Sequence, residues 1–382
     1  MLQADTLHPR DLTPADDAAW RLLCASEVGL SGPLLGPDFA RAVGTVREDA
    51  RVTVWREDAA AVGFLAHHRR PGAFARPIGA PLSDYHGLVA RQRLDPAEAL
   101  AAAGLNAFRF TGLIDPTGAL EGAIKSSREA FVIVLDGSAE DYLEALRAAS
   151  PKRFKNYRRL DHKLERDVGP LSVVAPDRSI EAFEALIAWK RDQLERTGGH
   201  DFLRPVWTDR LMRSLLARTD GDFQGLMVNL YAGERLVGGH FGVRLGAQFH
   251  PWIASMDPEL AAWSPGQVFL SRAISAMPSL GLVRYDLGPG HEHYKRPFAS
   301  QTVSVHEGLA TTLRPAGRAM QAFEDTWALA GARRGGAVER LRRRLDVIAT
   351  VELSLPGRAR ALAQAFAAQT RKRQAADSEI AG

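Results

Sequence analysis

Two short stretches of this chain hold residue types that could handle an anion and move protons. The first is Trp263-Ser264-Pro265-Gly266-Gln267, and the second is Asp286 followed by Gly288-Pro289-Gly290-His291-Glu292-His293-Tyr294-Lys295. Small residues at a helix start leave backbone N–H groups unpaired, and the positive end of the helix dipole adds to their pull on an anion such as a pyrophosphate. The same residues also read as an ordinary serine cap followed by proline at the first helical position. The second stretch suits amide formation from an ammonium and a thioester. That reaction removes a proton from the amine, stabilises an oxyanion and protonates a departing thiolate. Glu292 or His291 is the candidate base, Tyr294 the acid and Lys295 the anion-holding group; Asp286 could orient a histidine or pair with Lys295. A structural or phosphate-binding role for Tyr294 and Lys295 competes with this. His240 lies among Gly238, Gly239 and Gly242, where small residues let a ligand or another backbone approach. A buried, hydrogen-bonded histidine is the competing reading there.

Other chemistries fit less well. A serine-hydrolase elbow needs glycine two before the serine, where Ala262 stands, and a backbone N–H after it, which Pro265 lacks. Gly288-Pro289-Gly290 lacks the third glycine of a dinucleotide loop. His291 and His293 have no third ligand at suitable spacing, so no metal is expected.

The elements that must position these groups follow from periodicity and turn residues. A strand over His250–Met256, a helix over Gly266–Met277 and a strand over Leu282–Leu287 form a β-α-β unit. Hairpins are predicted at Val52–Arg56 with Ala61–His67, and at Gly225–Tyr231 with Arg235–Leu245; Ala247–Met256 extends the latter. Further strands read at Leu105–Thr111, Ala130–Leu135 and Thr302–Leu313. Helices begin at Asp95-Pro96, Ser138, Ser150-Pro151, Ile180 and Pro205. The helix from Lys152 to Arg166 carries seven Lys/Arg residues, either as a solvated face or as a cationic rim for phosphates or an anionic membrane. The crossover helix of the N-terminal half has no glycine loop at its start.

The chain has 382 residues, enough for two domains, with one cysteine, Cys24, and hence no internal disulfide. The first residues show no signal peptide and no run is long enough to span a membrane, so a cytoplasmic protein, or one peripheral on the inner membrane, is expected. Net charge is +4, but from Arg314 onward 13 Arg/Lys stand against 7 Asp/Glu, so the body is slightly acidic. A basic surface across the folded body is therefore missing, which argues against a nucleic-acid partner. The cluster Arg340, Arg342, Arg343 and Arg344 with Leu345, Val347 and Ile348 has the pattern of an interfacial amphipathic helix.

The run SPGQVFLSRAI…GLVRYDLGPGHEHYKRPF resembles the CelD-like, cellulose-biosynthesis-type branch of the GNAT superfamily, related to bacterial ceramide synthase-like and FemAB-like N-acyltransferases. Ser264, Pro265 and Gly266 match one motif of that branch; Asp286, Gly290, Glu292, Tyr294 and Lys295 match the other. The resemblance covers roughly residues 50 to 312. It implies an α+β fold of tandem GNAT-like mixed sheets flanked by helices, with a C-terminal helical tail. The corresponding domains are a degenerate GNAT-like repeat over 1–137, a catalytic GNAT-like domain over 138–313 and a basic helical tail over 314–382. It further implies acyl-CoA as co-substrate, with no separate cofactor, bound at Trp263, Ser264, Pro265, Gly266 and Gln267. The acceptor would be an amine. A long-chain lipid amine of the sphingoid type is preferred, handled at an anionic membrane surface through the basic tail. Acetyl transfer in exopolysaccharide biosynthesis and an inactive scaffold in envelope assembly are the alternatives.

Overall fold

The computed structural model describes residues 2–290, 292–331, 336–354 and 356–363. Its strands are β1 (Gln3–Leu7), β2 (Ala50–Glu57), β3 (Ala60–Arg70), β4 (Phe74–Pro77), β5 (Val89–Ala90), β6 (Ala107–Leu113) and β7 (Ile124–Val134), then β8 (Leu171–Val174), β9 (Phe223–Ala232), β10 (Arg235–Leu245), β11 (Gln248–Met256), β12 (Arg284–Pro289) and β13 (Gln301–Thr311). They form one mixed sheet in the order β1-β2-β3-β4-β6-β13-β7-β12-β11-β10-β9-β8, with β5 on β3. The late strand β13 inserts between β6 and β7 and pairs antiparallel with both, so the sheet runs unbroken from one half of the chain to the other.

Helices α1 (Pro14–Ser26), α2 (Pro37–Gly44), α3 (Pro96–Ala102), α4 (Ala139–Ala149), α5 (Pro151–Asp167), α6 (Ile180–Thr197), α7 (Val206–Leu216) and α8 (Pro265–Ala276) flank the sheet. Three of the five expected starts carry side-chain caps, while Ser150 and Pro205 make none. Asp95 accepts from the Glu98 N–H at 2.8 Å, and Ser138 and Ser179 accept from Asp141 and Ala182 at 3.0 Å. Each such cap contributes about 1 kcal/mol. Gly198, at φ 73°, ends α6 in the left-handed conformation that glycine adopts without strain. Apolar residues fill the layers between helices and sheet. Trp20, Phe39, Phe64, Phe183 and Phe241 belong to one cluster, and Tyr157, Leu164, Phe249, Phe269 and Ile274 to another. Strands β1, β4 and β5 were not expected from the sequence; they are short, and β4 ends in a proline.

The C-terminal segment is built into the fold to a degree its composition hides. Helices α9 (Glu292–Lys295), α10 (Pro315–Leu329) and α11 (Gly336–Val351) complete the described structure, with a last helical turn over 356–363. Buried Asp346 on α11 takes Arg76 and Arg109 of the N-terminal half at 2.9 Å each, and Glu324 on α10 takes Arg109 at 2.6 Å and Arg342 at 2.7 Å. Arg342, part of the cluster expected to face a membrane, is thus committed to an internal ion network. Removing one partner of a buried pair leaves the other charge uncompensated. Asp346→Ala is expected to cost about 3 kcal/mol and to lower the denaturant midpoint in equilibrium unfolding; an unchanged midpoint would show that α11 docks without this network. No described helix is long and apolar enough to cross a membrane.

Candidate functional site

The parallel pair β11–β12 is short. Only Gln248↔Arg284 and Phe249↔Tyr285 are in register. Beyond them β11 continues along β10 and β12 turns to β7, so the two strands part toward their C-terminal ends. Parallel strands that part in this way open a crevice beyond their carboxyl ends, the usual place for a ligand in such sheets. Past the fork, Trp252 is the extra residue of a β-bulge: Phe241 faces Ile253 and Gly242 faces Pro251, leaving Trp252 without a partner in β10. A bulge re-aims backbone groups beside a site. The Trp252 indole itself packs on Phe39 and Phe241, as part of the core.

The next residue on each arm of the fork carries the chemistry. His250 Nδ1 lies 3.7 Å from Asp286 Oδ1, an ion-pair separation too long for a hydrogen bond, and His250 Nε2 is 3.1 Å from Asp84 Oδ2. Asp286 Oδ1 also accepts from the Tyr85 hydroxyl at 2.6 Å and from the Gly288 N–H at 2.9 Å. Burial opposes charge on the His250 imidazole, but the flanking carboxylates of Asp286 and Asp84 outweigh it and raise its pKa to about 9. His250 is therefore an imidazolium at neutral pH, and not a base. Burial pushes the Asp286 carboxyl up, yet its His250, Tyr85 and Gly288 contacts hold it below the usual range. The chain kinks to allow this. Gly288 has φ 70°, and a Cβ there would stand 3.2 Å from Asp84 Oδ2 and 3.4 Å from His250 Cε1.

The sequence-predicted residues fall into three places. Asp286 is at the fork and orients a histidine, His250, instead of pairing with Lys295. Lys295 is buried and donates from Nζ to the carbonyls of Leu287 at 2.6 Å, Pro289 at 3.0 Å and Gly288 at 3.3 Å. It clamps the kinked end of β12, and burial lowers its ammonium to about 8 against the pull of Asp84 and Asp286. Tyr294, beside it on α9, packs on the core cluster that includes Phe269 and Tyr285, and burial raises its phenol. His291 and the Glu292 side chain lie outside the described residues. His240 is buried on β10, bonded to the Tyr285 hydroxyl at 2.8 Å, with its ring tilted against Phe269 at 4.4 Å between centroids. Burial lowers its pKa to about 3, so it is neutral. The glycines around it make room for backbone and for Asn229, since a Cβ at Gly239 would come within 1.8 Å of Asn229 Oδ1.

The third place is the start of α8, beside the end of β11: Met256 Cγ is 3.9 Å from where a Gly266 Cβ would stand. Ser264 is left-handed, at φ 50°, and makes no side-chain cap bond, so the serine-cap reading does not describe it. The Gln267 N–H donates to the Ser264 carbonyl at 3.1 Å, while Gln267 Oε1 is buried without a partner among the described residues. Trp263 Nε1 donates to Asp167 at 3.1 Å and Lys163 lies over its ring at 5.3 Å, which brings the basic end of α5 against this helix start.

Sequence reasoning missed Asp84 and Tyr85, and took His250 only as the start of a strand. Asp84 and Tyr85 sit in an irregular stretch of the N-terminal half, and only a pairing across the whole sheet brings them to β12.

The family model described as an acetyltransferase (GNAT) domain matches residues 151–296. No protein of curated function matches the chain. Among solved structures it is similar to FemX, at 12% identity, covering 80% of this chain and 96% of that one with a TM-score of 0.48. It is also similar to a tandem GNAT protein from the clavulanic acid biosynthesis pathway (13% identity, 81% and 98% covered, TM-score 0.44). A third is the C-terminal DUF2156 domain of a putative lysylphosphatidylglycerol synthetase from Agrobacterium fabrum (11% identity, 80% and 96% covered, TM-score 0.45). The matched segment contains the fork of β11 and β12, the bulge at Trp252, the start of α8 and the cluster from Asp286 to Lys295. Residues 151–296 are therefore an acetyltransferase domain of the GNAT type, and the chain that carries it is an acyltransferase.

Proposed function

We propose that the protein transfers an acyl group from acyl-CoA to an amine and so forms an amide, with the second repeat, 138–313, as the active one. The observation that carries this reading is the fork of β11 and β12, with an uncapped helix start at one end and an acid-base cluster at the other. From His250 to Met256 is about 20 Å at strand rise, long enough to lay an extended pantetheine arm along β11. The N–H groups at the start of α8, with Lys163 near, would face the pyrophosphate. The amine nitrogen bonds to the thioester carbon as its proton leaves through water. The carbon–sulfur bond then breaks, and Tyr294 gives its proton to the thiolate. The phenol carries its proton at neutral pH, and burial raises its pKa further.

The long-chain lipid amine implied by the resemblance belongs to this proposal as its acceptor only if a surface other than Arg342 meets the membrane. A thiol-release assay with acetyl-CoA and palmitoyl-CoA, each with a panel of amines, tests the reading. Amine-dependent thiol release with amide product is expected. Hydrolysis without amide, whatever the amine, would contradict it.

A further inference from the structure

We propose that the acceptor is an amine that also carries a carboxylate or a phosphate. It would be held in the cleft between the sheet and α10–α11, with its ammonium at Asp84 and its anion at Arg128 and Lys125. This rests on the amide-forming reading above. The cleft has a volume of about 550 Å³, the scale of a small-molecule site. A depression of about 1100 Å³ runs along α4 and α5, but none of its lining residues belongs to the His250 cluster.

The smaller cleft reaches the chemistry at one residue. Of Asp84, Tyr85, His250, Asp286 and Lys295, only Asp84 lines it. Its side chain is 38% exposed, while the other four are buried. His250 holds Oδ2 of Asp84, which leaves Oδ1 to accept from a bound ammonium beside the fork. An aspartate so fixed is a positioning group for the acceptor nitrogen.

The charges on the walls differ in whether they are already used. Arg76, Arg109 and Arg342 are tied to Asp346 or Glu324, and Arg343 to Glu339. Arg128 donates to the Thr111 carbonyl at 2.8 Å, and neither it nor Lys125 has a carboxylate partner among the described residues. Ser126 and Ser127 stand between them on β7 and also line the cleft. Two cations without a carboxylate partner among the described residues and the Ser126 and Ser127 hydroxyls line the same cleft as the Asp84 carboxylate, which suits a ligand with charge of both signs. They suit an alkyl chain poorly, since ions would have to lose water against it.

Calorimetric titration of the full-length protein with ethanolamine, β-alanine, O-phosphoethanolamine and inorganic phosphate tests this, with coenzyme A titrated separately. One of the two zwitterionic amines is expected to bind at least about tenfold more tightly than ethanolamine or phosphate, and which one binds distinguishes the carboxylate from the phosphate. Asp84→Asn, and separately Lys125→Gln with Arg128→Gln, are each expected to weaken it by about tenfold or more, the scale of a lost charged hydrogen bond. The second variant changes exposed side chains only, so it serves even if the first fails to fold. Ethanolamine binding as tightly, phosphate alone binding as tightly, or wild-type affinity in the Lys125/Arg128 variant would overturn the proposal. If coenzyme A binds and no zwitterionic amine does, the acceptor site is wrong and the acyl-CoA reading stands. If coenzyme A also fails to bind, both fall.

Discussion

Asp286→Asn should both destabilise the protein and cut its turnover, and its unfolding should lose a specific dependence on pH. In the wild type the imidazolium of His250 lies between Asp286 and Asp84, with its pKa raised from 6.5 to about 9. A group whose folded pKa is raised contributes stability that is full below its unfolded pKa and lost as pH rises through the folded one. For His250 that window runs from about 6.5 to about 9, and the shift corresponds to about 3 kcal/mol. Asp286 has a depressed pKa, so its own contribution is present above the usual carboxylate range and is lost on acidification. The two together place maximal stability between mildly acid and neutral pH. Replacing the Asp286 carboxylate removes one of the two charges that hold His250 protonated, at a cost of about 3 kcal/mol or more for a broken buried pair. Turnover should fall about 10²-fold, since a misplaced group at a reacting centre costs that much. Urea unfolding of both proteins from pH 5 to pH 10 reads the first effect. Superimposable stability profiles would show that His250 is not held as an imidazolium.

Tyr294→Phe should bind coenzyme A nearly as well as wild type and turn over about 10²–10⁴-fold more slowly, the range for loss of a proton donor. The side chain packs against the core beside α8, where a phenyl ring keeps the apolar contacts and loses the hydroxyl alone. Glu292→Gln carries the same expectation for the base read from the sequence. A purely structural role for Tyr294 would instead lower stability while leaving the rate constant for transfer unchanged. Single-turnover kinetics alongside equilibrium unfolding separate the two, and wild-type transfer in both variants would remove the acid-base assignment.

Local chemistry made much of this molecule legible. The caps at Asp95, Ser138 and Ser179, the hairpin of β2 and β3, and the β11–α8–β12 unit all follow from side chains within a few residues of each other. The contacts that cross the sheet did not show. Nothing local tells that β13 will insert between β6 and β7, yet that insertion joins the two halves of the sheet. Asp84 and Tyr85, far upstream in sequence, hydrogen-bond to His250 and Asp286. The composition of the basic tail likewise counted its arginines but could not show that Arg342 meets Glu324 and Asp346. Lys295 reads from the sequence as an anion-holding group or a structural one, and the three carbonyls it meets come together where β12 kinks at Gly288.

The central claim is that an acyl-CoA lies along β11 with its pyrophosphate at the start of α8. Isothermal titration of coenzyme A into the full-length wild type and into Gly266→Asp tests it most directly. A Cβ added at Gly266 would meet only Met256 within 4 Å, at 3.9 Å, so the aspartate should fold in place and act through its charge. The account predicts saturable binding to the wild type and at least about tenfold weaker binding to a folded Gly266→Asp, because a carboxylate at the helix start repels the pyrophosphate. Equal affinity for the two proteins, or no binding to the wild type, would contradict it.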